Sequence, residues 1–121
     1  MVTVYAGLCK GRHEIVDNER EIELFIFDEP IENPNDFKNL ENQAREFLEM
    51  VWNPDNQIYV YVTGLSQALT SVLKIASEFA ESHNPDCDGQ MLFALKHYNR
   101  DTGEYEIQTI FDLDGYHEVG L

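Results

Sequence analysis

Six residues without a charge, Gln57 to Val62 (QIYVYV), run into Thr63-Gly64 and then directly into a helical pattern. No other feature of the chain constrains its fold as much. A short β-branched and aromatic run of this kind marks a strand covered on both faces, and therefore a central one. From Leu65 onward, Leu65, Ala68, Leu69, Val72, Leu73, Ala76, Phe79 and Ala80 recur on one broad stripe. Gln67, Thr70, Ser71, Lys74, Ser77 and Glu78 hold the other side. A buried strand followed at once by an amphipathic helix is the unit from which α/β sheets are built.

The flanking sequence supplies the remaining elements. Val2 to Leu8 reads as a first strand with Gly7 as a bulge or bend, and the polar stretch Cys9 to Arg20 as a loop or wide hairpin connection. Glu21 to Asp28 alternates as a second strand, and Glu29-Pro30 stops it. Asn33-Pro34 predicts a helix start, with Asn as cap and Pro in the first helical position. Phe37, Leu40, Ala44, Phe47, Leu48, Val51 and Trp52 form its apolar stripe, and Asn53-Pro54-Asp55-Asn56 ends it. Asn84-Pro85-Asp86 and Asp88-Gly89 break the second helix. Gln90 to Tyr98 and Glu104 to Phe111 then read as a hairpin closed by Asn99 to Gly103. Asp112 to Leu121 is an acidic tail that can hang free or pair with another chain. The expected architecture is one α/β domain over residues 1–121, with α+β as the alternative. Its order is β-β-α-β-α-β-β: a mixed sheet with two helices on one face.

Charge narrows the function classes. Eight Lys and Arg face 23 Asp and Glu, a net charge of −15. A basic surface for DNA, RNA or anionic membrane is therefore not expected. No apolar run approaches the roughly 20 residues that span a bilayer, and Met1 to Lys10 lacks the pattern of a secretory signal. With only Cys9 and Cys87, neither a disulfide framework nor a thiolate zinc site is supported. The expected location is cytoplasmic, the host cytoplasm if the chain is phage-encoded.

The candidate chemistry lies at two places. The first is the junction after Val62. The first N–H groups of a helix lack intrahelical partners and carry partial positive charge, so an anionic ligand can be held there without a basic side chain. Gly64 allows close backbone approach, Thr63 or Ser66 adds a hydroxyl, and Gln67 can reach a ribose or base. The alternative is an ordinary cap and turn. Acids are sparse here: residues 57–100 carry four acids and three bases, whereas residues 101–121 carry six acids and no base. The second place is Lys96-His97-Tyr98-Asn99-Arg100, which combines cations, an aromatic face and an amide, the set that recognises phosphate, ribose and base together. Alternation puts Lys96 and Tyr98 on one face and His97 on the other. The alternative is a solvated hairpin end. His13, His83, His97 and His117 have no metal-ligand spacing. Asp112, Asp114 and Gly115 give only a fragment of a calcium loop. Neither cysteine sits in a nucleophile motif. No catalytic constellation emerges, and no enzyme, metal or cofactor is expected.

The stretch IYVYVTGLSQALTSVLK (Ile58–Lys74) and the hairpin LKHYNRDTGEYEIQ (Leu95–Gln108) resemble small phage-encoded proteins that counter the bacterial Thoeris defence. The resemblance covers about half the chain. It implies a molecular sponge, which binds a cyclic ADP-ribose-type signal made from NAD and withholds it from the defence effector. It also implies an oligomer with pockets near subunit contacts, and binding without turnover. The acidity departs from what a pyrophosphate-binding sponge would show, so no ligand residue of the family is carried over.

Two functional expectations follow. In the first, a cyclic nucleotide-type signal sits at Thr63, Gly64, Ser66 and Gln67, with Lys96, Tyr98, Asn99 and Arg100 facing it, supplied by the same or a neighbouring subunit. In the second, the acidity itself is functional: a nucleic-acid mimic or interaction inhibitor presents carboxylates to a basic protein partner. A housekeeping domain whose acidity serves only solubility is the third and plainest option.

Overall fold

Gln57–Tyr61 (β5) is the middle strand of five in the computed structural model, which describes residues 2–11, 14–82 and 90–114. The sheet order is β4-β1-β5-β6-β7, with β1 at Thr3–Cys9, β4 at Phe25–Phe27, β6 at Gln90–Asn99 and β7 at Glu104–Asp114. β4, β1, β5 and β6 are parallel, and β7 returns antiparallel along β6. Helix α1 (Phe37–Val51) carries the chain from β4 to β5, and α2 (Ser66–Glu81) carries it from β5 to β6. Both crossovers step across the sheet in the same direction. One handedness therefore puts both helices on one face, where Arg45 bonds Glu78 at 3.0 Å and Lys74 bonds Glu41 at 2.9 Å.

Alternation along the strands builds two different cores. Ala6, Leu8, Ile58, Val60, Phe93 and Leu95 point toward the helices and meet Leu40, Ala44, Leu48, Val72, Ile75 and Ala76. On the other face Tyr61 is fully buried against Ile15 and Ile22, with Tyr5, Phe25 and Tyr105 packed around them. Ile15 and Ile22 belong to the connection between β1 and β4, which crosses this second face. It contains a small hairpin, β2 (Val16–Asp17) and β3 (Arg20–Glu21), turned by Asn18 and Glu19, both at positive φ. The connection steps leftward over one face and the helices step rightward over the other, which is a single handedness.

The α/β architecture expected from sequence is present, with five local corrections. The polar stretch after Cys9 holds a hairpin, so the element order gains two short strands. The expected strand over Glu21 to Asp28 narrows to Phe25–Phe27, because Glu21 pairs in the small hairpin and Ile22 turns down onto Tyr61. Helix α1 starts at Phe37 rather than at Pro34. Asn33 closes a local turn by accepting from the Asn35 N–H at 3.0 Å, and Asp36 is the true cap, accepting from the Asn39 N–H at 3.3 Å. Ser71, placed on the polar side of α2, is buried, and Ile75 joins the core. The tail also begins later than expected: Asp112–Asp114 extend β7, while residues 115–121 lie outside the described residues. So do the breaks at 84–86 and 88–89, Cys87, His13, His83 and His117.

Candidate functional site

Parallel strands deliver their C-terminal ends to one edge of the sheet, and helices that return antiparallel to them begin at that edge. The two ion pairs between α1 and α2 each join residues 33 positions apart, so the helices run parallel and side by side. Both helix N-termini therefore emerge where open α/β sheets bind anionic ligands.

The side of this edge next to β1 is filled. The Thr63 hydroxyl donates to the Cys9 carbonyl at 2.8 Å and accepts from the Cys9 N–H at 3.2 Å, which ties β1 to the end of β5. Thr63 is thus not the helix cap. Leu65 occupies that position, and no side chain caps α2. Gly64 adopts φ +80, and a Cβ there would lie 2.8 Å from Cys9 Cβ and 2.9 Å from Cys9 Sγ. Glycine is required both by the turn and by the close approach of Cys9. Burial pushes the Cys9 thiol up from its ordinary value, against a smaller opposite pull from the Leu65 backbone N–H. Cys9 packs its side chain against the Gly64 turn.

The side next to α1 is open. Ser66, Gln67, Thr70 and Lys74 of α2 face Phe37 and Glu41 of α1 across a groove of about 270 Å³. Spacings of one, three and four place these residues on one strip of α2, which ends at its uncapped N-terminus. Ser71, only 4% exposed, lines the same groove, and its hydroxyl forms no hydrogen bond among the described residues. A buried hydroxyl without a partner is a costly arrangement that a ligand would relieve. Lys74 pairs with Glu41 across the groove, so its cation is shared rather than free.

The hairpin cluster divides between the two faces of the sheet, as alternation requires. His97 faces Gln108, with Nε2 2.8 Å from Oε1. Asn99 donates to Glu106 at 3.0 Å and accepts from the Asp101 N–H at 2.9 Å, so its amide is spent on the turn. Arg100 is exposed in that turn. Lys96 and Tyr98 lie on the face opposite the helices. The eight residues singled out from sequence therefore do not meet in one pocket: Ser66 and Gln67 line the groove, Thr63 and Gly64 lock the junction, and the rest belong to the hairpin.

The second face carries an arrangement that sequence reading missed. Five of the six tyrosines in the chain, Tyr5, Tyr59, Tyr61, Tyr98 and Tyr105, share it. Tyr5 and Tyr59 stack at 5.5 Å, and Tyr105 meets Tyr61 and Tyr98 edge-on at 4.9 and 5.2 Å. Lys96 reaches into this shelf. Its Nζ lies 5.4 to 5.8 Å from the rings of Tyr5, Tyr59 and Tyr61 and 2.7 Å from Asp17 Oδ2. Tyr61 donates to the same oxygen at 2.6 Å. Burial alone would raise the Asp17 carboxyl. The hydrogen bonds from Lys96 and Tyr61, with the charges of Lys96 and Arg20, outweigh it and hold the group below the usual carboxylate range. Burial and the Asp17 carboxylate push the Tyr61 phenol well above its ordinary value. The cluster pins the small hairpin to the sheet. A period-two repeat of tyrosine at 59 and 61, matched at 98, was the signal available in the sequence.

Among the described residues no group of three or more His, Cys, Asp or Glu could hold a metal ion, and no helix is long and apolar enough to cross a membrane. No family model, curated protein or solved structure matches the chain.

Proposed function

We propose that this chain is a non-enzymatic binding protein that sequesters a nucleotide-type anionic signal of the cyclic ADP-ribose class. In this reading it acts in the manner of the phage anti-defence sponges that Ile58–Lys74 and Leu95–Gln108 resemble. The observation that carries it is the open groove at the uncapped start of α2, beside a second helix N-terminus, in a chain that is otherwise strongly acidic. The exposed N–H groups take phosphate oxygens, Ser66, Gln67, Thr70 and Ser71 take ribose hydroxyls, and Phe37 gives a base a face to lie on. Lys74 can exchange Glu41 for a phosphate. A volume of about 270 Å³ lies just under the range that encloses a whole small ligand, so the groove grips one half of such a molecule and a second subunit covers the other. Binding leaves the ligand intact, and the protein works in the cytoplasm of the cell that makes the signal.

Titration calorimetry with cyclic ADP-ribose isomers and cyclic oligonucleotides tests this, with recovery of unaltered ligand after denaturation. Ser66→Glu, an exposed change that places a carboxylate at the groove mouth, abolishes the heat if the reading is right. Absence of heat from the unaltered protein with every one of these ligands overturns it.

A second reading has its own support. Glu29, Glu32, Asp36 and Glu46 line one depression on the outer side of α1, with no basic residue among its lining groups. An interaction inhibitor or nucleic-acid mimic that presents carboxylates to a basic protein is consistent with that surface. Salt-sensitive association with a basic partner is its expected signature.

A further inference from the structure

β4 forms one edge of the sheet, and its outer side has no strand neighbour among the described residues. Beside that edge α1 shows a stripe at Gln43, Glu46, Phe47 and Met50, the helical spacing of three and four. Leu24 and Ile26 rise from the strand side to meet it. Together they line a groove of about 220 Å³ with mixed polar and apolar walls, in which Leu24 is 42% and Met50 74% exposed. Leu24 and Met50 stay in water although the cores on both faces of the sheet lie close by.

The groove does not end there. Gln43 and Glu46 also line the depression of about 590 Å³ that continues along α1 past Glu29, Glu32 and Asp36. The combined channel carries exposed apolar groups, Leu24 and Met50, at one end and a run of acids toward the other, and neither part is lined by Lys or Arg. From Met50 back to Asp36 α1 rises roughly 21 Å, at about 1.5 Å per residue. An extended chain spans that distance with about six residues. A strand edge without a neighbour, facing a helix across a groove, is a geometry in which a peptide can join a sheet: main-chain bonds supply affinity, and alternate side chains fill the groove.

We propose that the channel between β4 and the outer stripe of α1 takes an extended, basic polypeptide segment of a partner protein, which adds to the sheet beside β4. The segment seats apolar side chains against Leu24 and Met50 and directs Lys or Arg toward Glu29, Glu32, Asp36 and Glu46. Charge complementarity selects this occupant. A second copy of a chain carrying −15 would be repelled from the acidic half. The inference rests on the second functional reading, that the acidity serves a protein partner, and adds where and in what form the partner docks.

The test uses fluorescence anisotropy with three labelled nonapeptides: alternating valine and lysine, all lysine, and alternating valine and glutamate. Expected are saturable, salt-sensitive binding of the valine–lysine probe at least tenfold tighter than the all-lysine probe, and no binding of the glutamate probe. Leu24→Glu and Met50→Glu, both at exposed positions, each weaken the valine–lysine probe tenfold or more, and Ile107→Glu, exposed at the opposite edge of the sheet, leaves it unchanged. Amide exchange slows across Phe25–Phe27 in the complex. Equal binding of the two lysine-containing probes, indifferent to Leu24→Glu and Met50→Glu, overturns the docking channel while the acidity reading stands. Failure of both cationic probes to bind overturns the two together.

Discussion

The Lys96–Asp17 pair provides the sharpest test of the second face. Its side chains are 15% and 12% exposed, the Nζ–Oδ2 distance is 2.7 Å, and Tyr61 donates to the same oxygen. Replacing Lys96 with Met keeps the aliphatic stem among the tyrosine rings but leaves Asp17 facing them without its counter-charge. Removing one partner of a buried pair costs about 3 to 5 kcal/mol. Tyr61 and Arg20 remain to moderate the loss, so we expect about 3 kcal/mol. For a domain of this size that lowers Tm by roughly 10 °C. Asp17→Asn breaks the pair from the other side. The double variant should be less destabilised than the two singles summed, with a coupling of about 2 kcal/mol. The pH dependence has a definite sign. The folded carboxyl titrates below its unfolded value of ~3.9, so its contribution is complete above about pH 4 and declines as pH falls toward the folded value. Urea unfolding of the four proteins, at neutral pH and near pH 3, measures both effects. A coupling under about 0.5 kcal/mol, or an acid limb unaltered by Asp17→Asn, would refute the reasoning.

Three further outcomes are expected. Gly64→Ala must hold φ +80 and press its Cβ into Cys9, so it should destabilise the fold by about 2 kcal/mol, and denaturant unfolding will register it. Thr63→Val removes both hydrogen bonds to the Cys9 backbone and should cost about 1 to 2 kcal/mol; faster amide exchange at Cys9 is the local readout. At alkaline pH, Tyr61 stays protonated in the folded state while an unfolded tyrosine ionises near ~10. Stability should therefore fall as pH rises past that value, and spectrophotometric titration should show Tyr61 ionising only as the protein unfolds.

What the sequence disclosed follows from how local each signal is. QIYVYV announced a middle strand because burial on both sides forbids charge, and the stripes of α1 and α2 announced one helical layer because their period is intrinsic to the chain. Leu95–Gln108 announced a hairpin because Gly103, at φ +72, sits in its turn. Asn33-Pro34 misled because a local turn at Asn33 competes with a cap, and only the position of Asp36 decides between them. Ser71 misled because polarity places a serine outside a stripe, whereas the neighbouring helix buries it. The Asp17–Lys96 pair was illegible: 79 residues separate the partners, and Asp17 is one acid among many in a polar stretch. The division of the candidate site was half legible. Alternation separated Lys96 from His97, but that Cys9 fills the Thr63–Gly64 corner depends on β1 lying beside β5, which no local pattern encodes.

The unequal cover of the two sheet faces also divides the chromophores. The single tryptophan, Trp52, packs against Phe79 and Phe93 on the helical side, whereas five tyrosines gather on the far side, Tyr5, Tyr61 and Tyr105 among them packed with Ile15 and Ile22. Indole emission therefore reports on the helical layer, and phenol absorbance reports on the opposite surface. If the small hairpin lifts before the helices melt, phenol absorbance will move at a lower denaturant concentration than indole emission, and the protein's own spectrum will reveal which side opens first.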